Sequence, residues 1–131
     1  MKTRATDRFK ASVYLNRAIQ YQNSMTRSFE NSEWDVCVGN AVHCAISASD
    51  AYCVHMKGIR STGDSHNDTT VLFASIDQND TQLQNTVSHL SFLLSIKSAA
   101  EYDDRSLSQK DASDAMKHAE RFLTFVKSKI K

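Results

Sequence analysis

The sequence predicts an all-α protein, an antiparallel up-and-down bundle of four long helices and one short one forming a single domain over residues 1–131. Three observations carry this. The chain has no proline and only three glycines, Gly39, Gly58 and Gly63. It holds no Asn-Gly or Asp-Gly hairpin turn, and no period-two alternation lasts more than a few residues. Several long stretches repeat apolar residues at helical spacing instead.

The first stretch runs from about Thr6 to Phe29, with Phe9, Val13, Ala18, Ile19 and Met25 as an imperfect stripe and Tyr14 and Tyr21 seven residues apart. Asn31-Ser32 interrupts it. Ser32 followed by Asp35 has the pattern of an N-cap with an acid in the first turn. The second helix, Ser32–Lys57, is the element around which the others should pack. Trp34, Val38, Ala41, Val42, Ala45, Ala48, Tyr52 and Met56 make one stripe, and Cys37, Cys44, Ala51 and Val54 lie off it. A helix that is apolar on several sides is covered on several sides. Gly39 with Ala41, Ala45 and Ala48 should give a small-residue surface for close helix approach, and Gly58 suits the left-handed residue that ends a helix.

Arg60–His66 reads as a polar loop. A short helix from Asn67 to about Ile76 should turn Val71, Leu72, Phe73 and Ile76 inward. Asp77–Asp80 is a turn, with Thr81 and Gln84 as a capping pair for a helix over Gln82–Tyr102. That helix carries Leu83, Val87, Leu90, Phe92, Leu94 and Ile96. After a break at Asp103–Leu107, Ser108 and Asp111 cap the last helix, which ends near Ile130. Its stripe is Ala112, Ala115, Met116, Ala119, Phe122, Leu123, Val126 and Ile130.

A chain of 131 residues can bury a sizeable core. No apolar run approaches the ~20 residues of a membrane span, and the N-terminus MKTRATDRFK lacks the apolar core of a signal peptide. The expectation is a cytoplasmic protein with no membrane contact. Cys37 and Cys44 would stand about 10 Å apart on one helix, too far for a disulfide, so reduced, packed thiols are expected. No CxxC pair or HxxxH is present, and a metal site is not expected. No cofactor motif occurs either.

The net charge of +1 is unevenly spread. Residues 1–30 hold six Lys/Arg against two Asp/Glu, and residues 117–131 hold five against one. The 86 residues between them hold five against twelve. If the two basic ends lie side by side they form a face suited to phosphates or an acidic partner.

Arg60 and His66 are the candidate catalytic residues. An arginine clamps a phosphate with a planar fork of donors. A neutral histidine takes the proton from a ribose 2′-hydroxyl, and an imidazolium protonates the leaving oxygen. These two residue types suffice for RNA cleavage by internal attack. His43, His55, His89 and His118 lie on predicted helices, where surface or packing roles are the rule.

The second helix and its exit, AVHCAISASDAYCVHMKGIRSTGDSH, resemble the corresponding region of small stand-alone bacterial and archaeal HEPN-domain proteins. SAAEYDD (98–104) is similar to the family's Ala-Asp-Tyr-like segment, and the Ala-rich helix 112–126 to its last helix. The resemblance covers about residues 10–126. It implies a helical bundle, frequent homodimerisation, and RNA cleavage or nucleotide handling in toxin–antitoxin and defence systems. Ribonuclease members carry an Arg and a His four to six residues apart, which Arg60 and His66 match. Active members usually have a polar residue, often Asn, after the arginine and an aromatic soon after the histidine. Here Ser61 follows Arg60, Gly63 lies between the pair, and Asn67-Asp68 follow His66. Two readings result: a metal-independent endoribonuclease whose site is completed across a dimer, or a non-catalytic module binding a nucleotidyltransferase-like antitoxin, RNA or a nucleotide. A third is a helical protein that only dimerises.

Overall fold

The computed structural model describes residues 2–62, 66–102, 104 and 106–130, and for His66 and residues 100–102 it describes the backbone alone. Gly63, Asp103 and part of the SAAEYDD segment therefore lie outside the described residues or side chains. The long helices are α1 (Ala11–Glu30), α2 (Trp34–Lys57), α4 (Thr81–Tyr102) and α5 (Gln109–Lys129), with the short α3 (His66–Ser75) between α2 and α4. The bundle is all-α in class, with one addition that the sequence gives no hint of. Thr3–Ala5 (β1) and Ile59–Ser61 (β2) form a small antiparallel pair, and a 3-10 turn, Arg8–Lys10, joins β1 to α1.

Helix α2 is the centre, packing against α1, α3, α4, α5 and β2. Fourteen of its 24 residues are buried, and from Ser47 to Val54 they follow without interruption. Both of its apolar stripes are thus used. All three cysteines are buried free thiols, and burial pushes Cys37 up to about 11 and Cys44 and Cys53 up to about 12. At one end of the core Tyr52, Phe73, Phe122 and Phe125 pack ring against ring, with centroids 4.9–6.2 Å apart.

The helix ends show where local patterns decide and where they do not. Ser108 accepts the Asp111 N–H and Asp111 accepts the Ser108 N–H, the reciprocal capping box the sequence indicates. Gly58 closes α2 at φ 65°, its N–H donating to the Val54 carbonyl. Ser32, by contrast, does not cap α2. It sits at φ 61° and finishes α1 in a Schellman motif, with Ser32 N–H on the Phe29 carbonyl and Glu33 N–H on the Ser28 carbonyl. The preceding helix claims the serine backbone, so α2 starts at Trp34, and Asp35 accepts the Leu107 N–H from across the bundle at 2.9 Å. At α4 the cap is Asp80, which accepts the Leu83 N–H at 3.1 Å, while Gln84 donates to the Ala74 and Asp77 carbonyls. Asp80 can do this because its carboxylate lies one residue ahead of Thr81, and Lys129 of α5 pairs with it at 3.1 Å.

Four packing expectations change. Phe9, in the 3-10 turn, is 75% exposed, and Val13, in the first turn of α1, is 46% exposed, so neither joins the core. Val71 is also exposed, leaving Leu72, Phe73 and Ile76 as the inward face of α3. A side-chain carbon built on Gly39 meets nothing within 4 Å, so Gly39 is no helix contact, although Ala41, Ala45 and Ala48 are buried. Helices α1 and α5 do pack together, so the helix carrying Arg17 and Arg27 neighbours the one carrying Lys117, Arg121, Lys127 and Lys129.

Candidate functional site

Arg60 is not in a loop. It is the middle residue of β2, paired in register with Arg4 of β1. Gly58 makes this possible, because a left-handed residue turns the chain out of α2 directly into a strand. The pairing is extended on both sides by Thr6 N–H to the Gly58 carbonyl at 2.8 Å and Thr62 N–H to the Lys2 carbonyl at 3.1 Å. The backbone of Arg60 is therefore clamped by the N-terminal segment.

Its side chain is clamped as well. Nη1 lies 3.5 Å from Oδ2 of Asp50, about two turns before the end of α2. The guanidinium carbon stands 5.3 Å from the centroid of the Tyr14 ring, and that of Arg17 stands 5.4 Å from the same ring. Asp50 is only 9% exposed. Burial pushes its carboxyl up to about 6, against the opposing pull of Arg60 and Arg17. With 28% of its side chain exposed, Arg60 still has a face open to solvent. The result is a pre-positioned cation with an anion behind it, an aromatic ring beside it and a second cation close by.

His66 is the first residue of α3, which packs against β2. The helix carrying His66 and the strand carrying Arg60 are thus neighbours; the side chain of His66 lies outside the description. Ser61, next to Arg60, holds a buried hydroxyl with no hydrogen-bond partner among the described residues.

Sequence reasoning missed Asp50, Tyr14 and Arg17. For Asp50 a signal was present: it is the one charged residue in the stretch AISASDAYCV of a helix that is apolar on several sides. A carboxylate there needs a counter-charge. The remaining histidines stand apart. His43 stacks on Tyr21, and His89 and His118 face each other across α4 and α5 with Nδ1 atoms 2.8 Å apart. Phe92 covers the His118 ring. Among the described residues no three His, Cys, Asp or Glu side chains gather into a metal-binding group. Among the described residues no helix is long and apolar enough to cross a membrane.

Comparison with curated proteins gave no match. The HEPN-domain family model, however, matches residues 11–129, leaving residues 1–10, with β1 and the 3-10 turn, and residues 130–131 outside. With the five-helix bundle already in view, the chain belongs to the HEPN family.

Proposed function

We propose that this HEPN protein is a metal-independent endoribonuclease of the toxin–antitoxin or defence type, with Arg60 and His66 as its catalytic pair. The observation that carries the reading is the fixation of Arg60: a partly exposed guanidinium held by a strand, a buried carboxylate and a ring. Such pre-positioning is what stabilisation of a pentacoordinate phosphate requires. Arg60 binds the two non-bridging oxygens of the scissile phosphate. His66 removes the 2′-hydroxyl proton, and the 2′-oxygen attacks phosphorus. The P–O5′ bond breaks, the O5′ leaving group takes a proton from an imidazolium, and a 2′,3′-cyclic phosphate and a 5′-hydroxyl remain. A homodimer supplies the second His66 for the proton-donating step, and a nucleotidyltransferase-like antitoxin is the partner that would hold the activity in check.

The test is incubation of purified protein with RNA in EDTA. Cleavage to cyclic-phosphate ends is expected, and Arg60→Ala and His66→Ala should each lower the rate by about 10²–10⁴-fold. Uncut RNA, or variants as active as the parent, would sink the reading. Light scattering at micromolar concentration should give twice the 14.7 kDa chain mass.

The tie between Arg60 and Asp50 also favours a second reading, because a guanidinium already paired can serve binding without turnover. A non-catalytic module would raise its melting temperature with RNA, a nucleotide or its partner, and would leave RNA intact.

A further inference from the structure

Five residues outside the region matched by the family model, Arg4 to Asp7 and Lys10, wall a cavity of about 460 Å³ beside the Arg60 strand. Arg4, Thr6, Asp7 and Lys10 line it from the N-terminal segment, with Tyr14 and Gly58 completing it. Three features of this cavity need an explanation. Arg4 is the direct cross-strand partner of Arg60, so the two side chains rise from the same face of the pair, where like charges are unfavourable. Asp50 offsets Arg60, but among the described residues neither Arg4 nor Lys10 has an ion-pair partner. Tyr14, finally, belongs both to the cavity wall and to the surroundings of Arg60.

An anionic ligand spanning the strand pair accounts for all three. It would neutralise the opposed arginines, occupy Lys10, and meet an aromatic surface. A volume of 460 Å³ falls in the ~300–1,000 Å³ range of small-ligand sites and accommodates one nucleotide. We propose that the cavity is a nucleotide subsite for single-stranded RNA. Arg4 and Lys10 hold the phosphate adjacent to the one at Arg60, and Tyr14 forms the wall against the intervening nucleoside. This rests on the reading that Arg60 meets RNA. It adds that the N-terminal segment, beyond the matched domain, determines how tightly the strand is held.

The experiment measures binding apart from cleavage. A fluorescent oligoribonucleotide with 2′-O-methyl groups throughout cannot be cut by internal attack, and its anisotropy reports affinity across a salt series. The variant R4Q/K10Q keeps the strand backbone and removes both cations. Its affinity should fall at least ~10-fold, and the slope of log K against log[salt] should flatten by about 1.4, two single-strand phosphate contacts. The variant K97Q/K110Q removes the same charge at two positions that neither line the cavity nor belong to the basic ends, and should bind like the parent. Unchanged affinity for R4Q/K10Q, or an equal loss for K97Q/K110Q, overturns the subsite. Parallel assays on unmodified RNA separate the two readings. If the parent never cuts but R4Q/K10Q loses affinity, the nuclease reading fails and the subsite stands. If the parent cuts and R4Q/K10Q binds normally, the subsite alone fails. A parent that neither binds nor cuts RNA overturns both.

Discussion

Asp50 and Tyr52 are two residues apart on α2, about 200° apart around its axis, and they open onto opposite kinds of interior. Tyr52 enters a dry ring cluster with Phe73 and Phe125. Asp50 enters a charged one with Arg60 and Arg17. The first is what a fold needs: dense apolar packing with nothing to desolvate. The second works against the fold, since a buried carboxylate exchanges its hydration for an ion pair with a partly exposed guanidinium that rarely repays the loss. One helix thus carries both the scaffold and the strained chemistry, and the two sides should respond to mutation with opposite signs.

The largest effect belongs to the dry side. Phe73→Ala deletes a ring that touches Tyr52, Phe122 and Phe125, and unfolding in urea should show a loss of about 3–5 kcal/mol. A loss below about 1 kcal/mol would mean that the cluster is not the centre of the core. Asp50→Asn should act in the other direction. The folded carboxyl is raised from 3.8 to about 6. Its neutral form is therefore favoured on folding, and that contribution is complete below pH 3.8 and lost as pH rises through 6. Asparagine keeps it at every pH. At pH 7 the variant should be more stable by up to about 3 kcal/mol, while RNA cleavage or binding through the loosened Arg60 declines. A destabilised D50N protein would place Asp50 with the scaffold instead.

Gly58→Ala probes the junction of the two sides. Its φ of 65° and a Thr6 carbonyl 3.3 Å from the added carbon make alanine costly, by about 1 kcal/mol from the left-handed backbone alone. Binding of RNA should suffer more than stability, because the strand that carries Arg60 begins there. The smallest effect lies at the His89–His118 pair. Burial first pushes both rings below the usual histidine value; the His118 charge and then Arg121 add to it at His89, and Arg121 adds to it at His118. That contribution is full above pH 6.5 and fades as pH falls below it. Urea midpoints at pH 7.5, 6.5 and 5.5 should fall in the parent relative to H89Q/H118Q. Parallel curves would show that the pair does not titrate on unfolding.

The scaffold was legible in the sequence because its determinants are local. Stripes such as Leu83–Leu90–Leu94 and the Ser108/Asp111 pair act within a few residues of one another. The N-terminal strand was not, because Thr3–Ala5 and Ile59–Ser61 are too short to show alternation and pair across more than 50 residues. Ser32 misled because its backbone serves the helix before it. At the candidate site Arg60 stood out by residue type, but Tyr14 and Asp50 join it only when α1, α2 and β2 come together.

The buried thiols of α2 give the protein a built-in reporter. Thiolates attack alkylating reagents, and groups raised to about 11 and 12 inside a packed helix offer almost none at neutral pH. The folded chain is therefore nearly silent toward such reagents. Any label that enters Cys44 or Cys53 counts an opening of the central helix, so the pace of alkylation reads how often the bundle comes apart. Comparing that pace with and without RNA would show whether occupying the Arg60 site also holds the central helix shut.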